Sequence, residues 1–269
     1  MGYTLDMEAL YLSLGLLFCY MCVAFGISLI RKDNGTADIA YGWGFALLAW
    51  TTYLLGTQSV IGFIVSILAT VWALRLSLRI FLRSRGKPED FRYAKWRLEW
   101  GSTFLLRSFF QVYMLQGAVI FFVALPVTLL NLYGGEVGLG TIGMVGLSLW
   151  IIGFFFETVG DAQLGRFMRD PANKGHVMSK GLWKYTRHPN YFGEALMWVA
   201  LALVAYDTLT LTAGMPLALI PFISPILITF LLLKVSGVPL LEARFAGNPE
   251  WEAYKSRTSM FLPLPPRHV

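Results

Sequence analysis

Acids, arginines, a histidine and an asparagine are concentrated between two apolar stretches, over residues 157–194. Glu157 and Asp161 are four residues apart, so on a helix they share one face. Arg166 and Arg169 follow within the next two turns. Carboxylates can hold a ribose or an adenine while arginines clamp phosphates in bidentate geometry, so this spacing suits a nucleotide. The alternative is a helix end leaving a membrane, with its charges solvated and paired.

A sharper motif, R-H-P-N-Y-F-G-E, begins at Arg187 and ends at Glu194. Proline suits the first position of a helix, where backbone N–H groups attract anions, so we expect a helix start that binds an anion. Asn190 and Glu194 are four residues apart, and Glu194 lies about one turn inside an apolar run. A carboxylate at that depth is costly unless it is paired, which makes Glu194 a candidate functional residue. A structural ion pair between Glu194 and Arg187 is the competing interpretation.

Further polar residues lie near or within the third apolar run and after it. Arg75 and Arg79 share a helix face and could point at a bound anion, although arginines near a helix end also extend to the interface. Asp90, Arg92 and Tyr93 form a polar, aromatic cluster a few residues later. Other polar residues near or inside apolar runs, which could simply hold helices together, are Asp38, Gln111 and Gln116.

The sequence lacks the signatures of several other classes of site. It contains no GxGxxG, Walker or H-E-x-x-H motif, and with three histidines in total we expect no metal site. Cys19 and Cys22 lie inside the first apolar run without a second cysteine pair, which favours inert, buried thiols. The net charge of +6 comes from short basic loops, which membrane topology explains, so we expect no nucleic-acid partner.

The elements that must position these residues are long apolar helices. Of the 269 residues, 56% are apolar and 14% are charged, which indicates that the bilayer is the solvent. Spanning segments must satisfy their own backbone groups, so the predicted fold is an all-α, polytopic integral membrane helix bundle. About seven spans are predicted, over residues 10–30, 39–55, 60–82, 105–130, 139–159, 191–206 and 209–233.

Basic residues follow a regular pattern along the chain. The loops after the first, third and fifth runs and the tail after the seventh are rich in Lys and Arg. The intervening loops, G-T-Q-S, N-L-Y-G-G-E-V-G-L-G-T and A-Y-D-T-L-T, contain neither. Because cytoplasmic loops carry the basic excess, we predict that the N-terminus lies outside and the C-terminus in the cytoplasm. No internal repeat is visible, so one membrane domain over residues 1–269 is expected.

Several segments resemble a known family. The stretch ETVGDAQLGRFMRDPANKGHVMSKGLWKYTRHPNYFGE, followed by SGVPLLEARFAGNPEWEAYKSRTSMFLP, resembles the bacterial DUF1295 family of unknown function within the steroid 5α-reductase superfamily. DIAYGWGF, GKPEDFRYAKWR and RSFFQVYMLQ extend the resemblance over nearly the whole chain. R-H-P-x-Y-x-G alone is less specific, because isoprenylcysteine carboxyl methyltransferases and sterol reductases share it.

The resemblance implies a seven-helix bundle whose cytosolic loops bind NADPH and whose lipid-accessible cavity holds an enone. Residues 157–269 would correspond to the cofactor-binding C-terminal domain. Lys234 falls near a position that is basic in that superfamily, and Glu242 near one that is usually aromatic. The steroid reductases also use an early Glu and a Tyr on the substrate side. The first three spans offer no convincing match for the Glu.

Tyr93 is the preferred hydrogen-bond donor on the substrate side, among the possible donors Tyr41, Tyr53, Tyr93 and Tyr113. The candidate catalytic residues are therefore Tyr93 and Glu194. The candidate cofactor-binding residues are Arg75, Arg79, Glu157, Asp161, Arg166, Arg169, Tyr185, Arg187, His188, Asn190, Tyr191, Lys234 and Glu242.

The leading hypothesis is an NADPH-dependent oxidoreductase that transfers hydride to the β-carbon of a steroid-like or other lipid enone. The alternative is an S-adenosylmethionine-dependent methyltransferase of the isoprenylcysteine type; the several arginines favour a cofactor with phosphates. A scaffold or transporter is a third interpretation, but the inverted repeats expected of transporters are absent from the sequence. The expected setting is a bacterial inner membrane, with a monomer whose active-site loops face the cytoplasm and whose partners are membrane lipids and a lipid substrate.

Overall fold

The protein is described here by a computed structural model that covers residues 2–267, with side chains from residue 7 onward. Every regular element within that range is a helix, which confirms the predicted all-α class. The α-helices are α1 (Gly2–Arg31), α2 (Thr36–Leu55), α3 (Val60–Ser84), α4 (Phe91–Trp100), α5 (Phe104–Arg107), α6 (Leu115–Val123), α7 (Leu125–Tyr133), α8 (Thr141–Arg169), α9 (Pro189–Thr212), α10 (Met215–Leu219), α11 (Ile223–Phe230), α12 (Val238–Glu242) and α13 (Pro249–Arg257). Two π-helical segments, Ser108–Met114 and Leu231–Val235, continue α5 and α11.

Six helical stretches in the described part of the chain are long and apolar enough to cross a membrane, which confirms an integral membrane helix bundle. They are Met7–Arg31, Val60–Ser84, Phe91–Val123, Thr141–Arg169, Pro189–Thr212 and Met215–Phe245. The predicted second span is the 20-residue helix α2, which is not among these six. The count of seven and the orientation of the termini therefore stay predictions.

Two predicted boundaries are wrong. The stretch A-Y-D-T-L-T, expected as a loop, is part of α9, which continues to Thr212. The polar groups there are satisfied within the fold, because Asp207 accepts a hydrogen bond from the Gly140 N–H at 2.6 Å and Thr210 Oγ1 donates to the Asp207 carbonyl. The predicted fourth span is interrupted between α6 and α7, where Pro126 stands in the first turn of α7.

The chain divides into two compact units, described separately below. Unit one comprises Met1–Gly140 and Ala205–Pro221, and unit two comprises Thr141–Val204 and Phe222–Val269. The single domain expected over residues 1–269 stays a prediction.

In unit one, α2 packs against α1, α3, α6 and α7 through small residues. A methyl group on Gly42 would overlap the Ser77 hydroxyl of α3, and that hydroxyl donates to the Ile39 carbonyl at 2.9 Å. Phe45 of α2 meets Trp72 of α3 edge to face, with ring centroids 5.0 Å apart. Small residues let apolar helices approach closely, which is how helices associate without a hydrophobic driving force between them.

In unit two, α8 and the first half of α9 are in direct backbone contact. A methyl group on Gly193 of α9 would overlap the Gly153 carbonyl and the Glu157 backbone of α8. One end of this contact is Gly160, whose Cα faces Pro189 and Asn190. This packing lays the start of α9 against the part of α8 that carries Glu157 and Asp161, so acids far from the motif in sequence lie beside it.

Candidate functional site

The start of α9 is held by the C-terminal tail of the chain. The Arg187 N–H donates to the Ser259 carbonyl at 2.9 Å, and the Thr186 hydroxyl donates to the Phe261 carbonyl at 2.9 Å. The Thr186 hydroxyl also accepts from the His188 N–H at 3.3 Å. α9 begins at Pro189, as predicted. The R-H-P-N motif is therefore an ordered helix start and not a flexible linker.

A second aromatic anchor supports the same segment. The Tyr254 hydroxyl of α13 donates to the Trp183 carbonyl, and the Trp183 indole N–H donates to the Gly160 carbonyl of α8 at 3.0 Å. Burial raises the pKa of the Tyr254 phenol, so the hydroxyl keeps its proton and remains a donor. The loop between α8 and α9 is thus connected to both α8 and α13.

Arg187, His188 and Glu242 form what we call the Glu242 cluster. Glu242 Oε1 lies 3.1 Å from Arg187 Nε and 3.0 Å from His188 Nε2. Arg187 and His188 are buried, at 7% and 3% exposed. The structure thus brings together three predicted cofactor residues, but as an internal ion pair. Because Glu242 offsets the charge of Arg187, this arginine is less cationic toward a ligand than the sequence suggests.

Two shielded acceptor atoms lie at the start of α9. In the tautomer of His188 that donates Nε2–H to Glu242, the Nδ1 atom is an acceptor. His188 Nδ1 and Asn190 Oδ1 are both buried and have no hydrogen-bond partner among the described residues. Tyr191 stacks on the His188 ring with centroids 5.4 Å apart, which fixes the imidazole plane. Shielded acceptors of this kind are suited to the hydroxyl, amine or amide hydrogens of a ligand.

The acids and arginines of α8 separate by burial. Glu157 and Asp161 are buried, which argues against simple solvation of these two acids, and Glu194 of α9 is buried as well. Arg166 and Arg169 are exposed at the end of α8, and Arg169 Nε donates to the Gly165 carbonyl at 3.1 Å. The predicted helix end thus has a buried acidic part and an exposed basic part.

The remaining predicted cofactor residues are more dispersed. Tyr185 and Lys234 are exposed in unit two, Tyr185 beside Lys184 and Lys234 within the π-helical segment Leu231–Val235. Arg75 and Arg79 are half-buried on α3 and belong to unit one.

A second polar group, here called the Asp38 cluster, consists of Asp38, Arg92, Tyr93 and Gln116 in unit one. The Tyr93 hydroxyl donates to Asp38 Oδ1 at 2.6 Å, and Arg92 Nη2 donates to Asp38 Oδ2 at 2.8 Å. Gln116 Nε2 donates to Asp38 Oδ1 at 3.3 Å. Tyr93 is 2% exposed, so its hydroxyl is a buried donor held by a carboxylate.

Arg92 ties the Asp38 cluster to the start of α4. Asp90 caps α4, and its Oδ1 accepts from the Arg92 N–H at 3.0 Å and from Arg92 Nε at 2.9 Å. Burial alone would raise the pKa of the Asp90 carboxyl, but the hydrogen bonds and charge of Arg92 together lower it. Arg92 is therefore shared between two carboxylates.

Asp38 is the site residue that sequence reasoning missed. Tyr93 was expected beside Asp90 and Arg92, whereas its hydroxyl hydrogen bond is made to Asp38. The first three spans offer no convincing Glu, and the sequence alone indicated only that Asp38 could hold helices together. The available signal was an acid three residues into a helix of otherwise apolar and small residues.

The comparisons with known proteins give a family and one distant relative. The family model described as a protein of unknown function (DUF1295) matches residues 24–258. An uncharacterized protein of Schizosaccharomyces pombe (strain 972 / ATCC 24843) is 24% identical over 221 aligned positions, covering 70% of this chain and 63% of that protein. The chain thus spans less than two thirds of the curated relative it matches. No solved structure matches.

Proposed function

We propose that this chain, which belongs to the DUF1295 family, is a membrane-embedded, NADPH-dependent reductase of a conjugated C=C bond in a steroid-like or other lipid enone. The observation that carries the proposal is the hydrogen bond between the buried Tyr93 hydroxyl and Asp38. A neutral phenol in an apolar setting can polarise a substrate carbonyl by donating a hydrogen bond to its oxygen. That donor is required on the substrate side of an enone reduction.

The partners of Asp38 explain how Tyr93 could act. A phenol has one proton, so a Tyr93 that donates to a substrate carbonyl must release Asp38. Asp38 would keep Arg92 and Gln116 as donors and would not be left buried without a partner. Arg92 therefore lowers the cost of turning Tyr93 towards a substrate.

Unit two supplies residues suited to the cofactor. His188 Nδ1 and Asn190 Oδ1 offer shielded acceptors for hydroxyl or amide hydrogens, and the start of α9 offers backbone N–H groups. Arg166 and Arg169 are exposed cations suited to phosphates. Bound NADPH would supply a hydride to the β-carbon of the enone. The residues named here would bind and orient the cofactor.

A specific observation favours a second candidate, an S-adenosylmethionine-dependent methyltransferase. Glu242 offsets the charge of Arg187, so the buried part of the site is not strongly cationic. Such a site also suits a cofactor with one carboxylate and a sulfonium. The exposed Arg166 and Arg169 favour NADPH, since the sulfonium cofactor has no phosphates to engage them.

The basic loops are proposed to face the cytoplasm of a bacterium, from which a charged cofactor can bind, while the substrate is dissolved in the membrane.

The experiment that tests the function is thermal unfolding of the purified chain in mild detergent with NADPH or S-adenosylmethionine. A ligand present at about 100 times its Kd adds about 2.7 kcal/mol of stability, which gives a clear shift in Tm. We expect stabilisation by NADPH and none by S-adenosylmethionine. Mass spectrometry of copurifying small molecules is the independent check, and bound NADP(H) is the expected finding. Stabilisation by S-adenosylmethionine alone would replace the reductase with the methyltransferase.

A further inference from the structure

The segment over residues 83–107, which runs from the end of α3 through α4 and α5, carries an excess of positive charge. It contains seven basic and three acidic residues. We call it the basic segment. The Asp38 cluster uses one of its arginines, and the other charges play no part in the function proposed above.

Each acid of the basic segment is already paired with a cation of the same segment. Glu89 Oε1 lies 2.8 Å from Arg97 Nη2, and Asp90 Oδ1 lies 2.9 Å from Arg92 Nε. Glu99 Oε1 lies 3.6 Å from Lys95 Nζ, one helical turn away on α4. These three pairs account for every acidic residue between 83 and 107.

Four cations remain. They are exposed, and no salt bridge to any of them is found within residues 7–267. They are Arg83, Arg85, Lys87 and Arg107. Arg83 contributes to the field at Asp90, so the three cations most available to an outside partner are Arg85, Lys87 and Arg107.

The basic segment also carries apolar and aromatic side chains. Trp96 and Trp100 stack with centroids 5.2 Å apart, and the Arg107 guanidinium carbon lies 6.0 Å from the Trp100 ring centroid. Leu98, also on α4, is 86% exposed, and Leu105 and Leu106 are exposed as well. Tryptophan beside arginine, with exposed leucines, is typical of the boundary between headgroups and acyl chains.

The backbone separates α4 from the apolar helix that follows. The stretch Phe91–Val123 has 33 residues, so as a straight helix it would be about 50 Å long, against about 30 Å of hydrocarbon. α4 ends at Trp100, and Gly101, which follows it, has φ +48°, a conformation that glycine adopts without strain. The chain therefore breaks between the polar α4 and the apolar α6, where a change of environment is expected.

We propose that the basic segment is a binding surface for the headgroups of anionic phospholipids. Arg85, Lys87 and Arg107 would meet the phosphates, while Leu98 and the Trp96–Trp100 pair would rest at the acyl-chain boundary. A nucleic acid or an acidic protein would use the cations but would leave the exposed leucines in water. The mixture of charge and apolar surface therefore favours a lipid leaflet.

The loop between α8 and α9 provides a matched comparison. It has three exposed lysines, Lys174, Lys180 and Lys184, but its tryptophan, Trp183, is buried. Both loops are basic, as membrane topology requires. If this charge alone attracted anionic lipid, both loops would do so equally. The proposal requires the basic segment to be the stronger site.

The test uses the full chain in nanodiscs of phosphatidylcholine with a minority of phosphatidylglycerol, with retained lipids counted by native mass spectrometry. We expect enrichment of phosphatidylglycerol over the bulk ratio by at least about threefold, lost when salt at about 1 M shortens the screening length to about 3 Å. The neutralised variant Arg85→Gln/Lys87→Gln/Arg107→Gln should fall to the bulk ratio. The control Lys174→Gln/Lys180→Gln/Lys184→Gln removes equal charge and should keep the enrichment.

A charge-preserving variant, Arg85→Lys/Lys87→Arg/Arg107→Lys, separates loss of charge from loss of folding and should behave as the original chain. Inorganic phosphate added at constant ionic strength should leave the enrichment unchanged. Displacement by phosphate would instead indicate a discrete phosphate site and overturn the proposal. So would absence of enrichment in the original chain, or an equal loss in the control variant.

Discussion

The Asp38 cluster and the Glu242 cluster are built from the same parts but differ in charge and in the donor they use. In the Asp38 cluster, the carboxylate contacts Arg92 and the Tyr93 hydroxyl. In the Glu242 cluster, the carboxylate contacts Arg187 and the His188 ring. In unit one, Arg92 serves two carboxylates, so negative charge is in excess. In unit two, one carboxylate serves an arginine and a histidine, so the cluster is neutral or positive.

This difference assigns the two clusters different chemistry. Because its buried hydroxyl already donates to Asp38, Tyr93 is suited to donate a hydrogen bond to a carbonyl. Shielded acceptors at the start of α9 can orient the hydroxyl or amide groups of a cofactor, and the exposed Arg166 and Arg169 of the same unit are the cations suited to its phosphates. The same arrangement of a carboxylate, an arginine and a ring-bearing side chain is thus suited to hydrogen-bond donation in unit one and to ligand binding in unit two.

The largest effect is expected from Tyr93→Phe, which removes the donor of the Asp38 cluster and little else. Reduction of an enone should fall by about 10²–10⁴-fold, the usual contribution of a positioned acid. Stabilisation of the chain by NADPH should be unchanged, because Tyr93 is not among the residues assigned to the cofactor. The measurements are consumption of NADPH with a lipid enone and thermal unfolding with the cofactor.

Tyr53→Phe is the control for that prediction. Tyr53 also lies on a unit-one helix, but its hydroxyl donates only a long, 3.4 Å hydrogen bond to the Gln58 carbonyl. Its removal should leave turnover intact. Equal turnover in Tyr93→Phe and Tyr53→Phe would remove the proposed role of the Asp38 cluster.

Glu242→Ala tests whether the Glu242 cluster is an internal ion pair. Removing the carboxylate leaves Arg187 and His188 buried without their partner, so we expect a loss of about 3 kcal/mol in unfolding free energy. Glu250→Ala is the matched control, because Glu250 pairs with His176 at 3.2 Å on the exposed surface. That change should cost less than about 1 kcal/mol. Similar losses in both variants would mean that Glu242 contributes as a surface charge only.

Asn190→Ala and Arg169→Ala probe the cofactor side with smaller effects. Each should weaken NADPH binding by about tenfold or more, since about 1.4 kcal/mol per lost contact is a factor of ten. Arg169 is exposed, so its replacement should leave the Tm of the cofactor-free chain unchanged. Lys174→Ala, at an exposed cation of the loop that follows α8, is the control. Unchanged NADPH affinity in both test variants would count against the cofactor assignment.

The parts predicted from the sequence are those fixed by local patterns. Apolar runs predicted membrane helices, spacing by four predicted that Glu157 and Asp161 share a face, and Pro189 predicted a helix start. The pairing of carboxylates with donors could not be predicted in this way. Tyr93 and Asp38 are 55 residues apart, and His188 and Glu242 are 54 apart, so both pairs depend on how helices pack.

The same reason explains the wrong loop at A-Y-D-T-L-T. The loop was predicted only because A-Y-D-T-L-T lies where the apolar run 191–206 gives way to the run 209–233. In the fold, the Asp207 carboxylate caps the distant Gly140 N–H and thereby becomes compatible with a continuous α9. Contact with residues far along the chain decides which local preference prevails.

The smallest effect is expected from Asp90→Asn, which removes one of the two carboxylates that share Arg92, the other being Asp38. The pKa of Asp90 is lowered in the folded chain, so Asp90 contributes stability above its unfolded pKa of about 4. That contribution is lost as the pH falls through the lower, folded pKa. The difference in Tm between the original chain and Asp90→Asn should therefore be present at neutral pH and shrink below about pH 4. The corresponding difference in unfolding free energy should stay under about 1 kcal/mol, since Asp90 is partly exposed. A difference that grows on acidification would show that Arg92 does not stabilise the charged form of Asp90, and the account of Arg92 as a shared partner would fail.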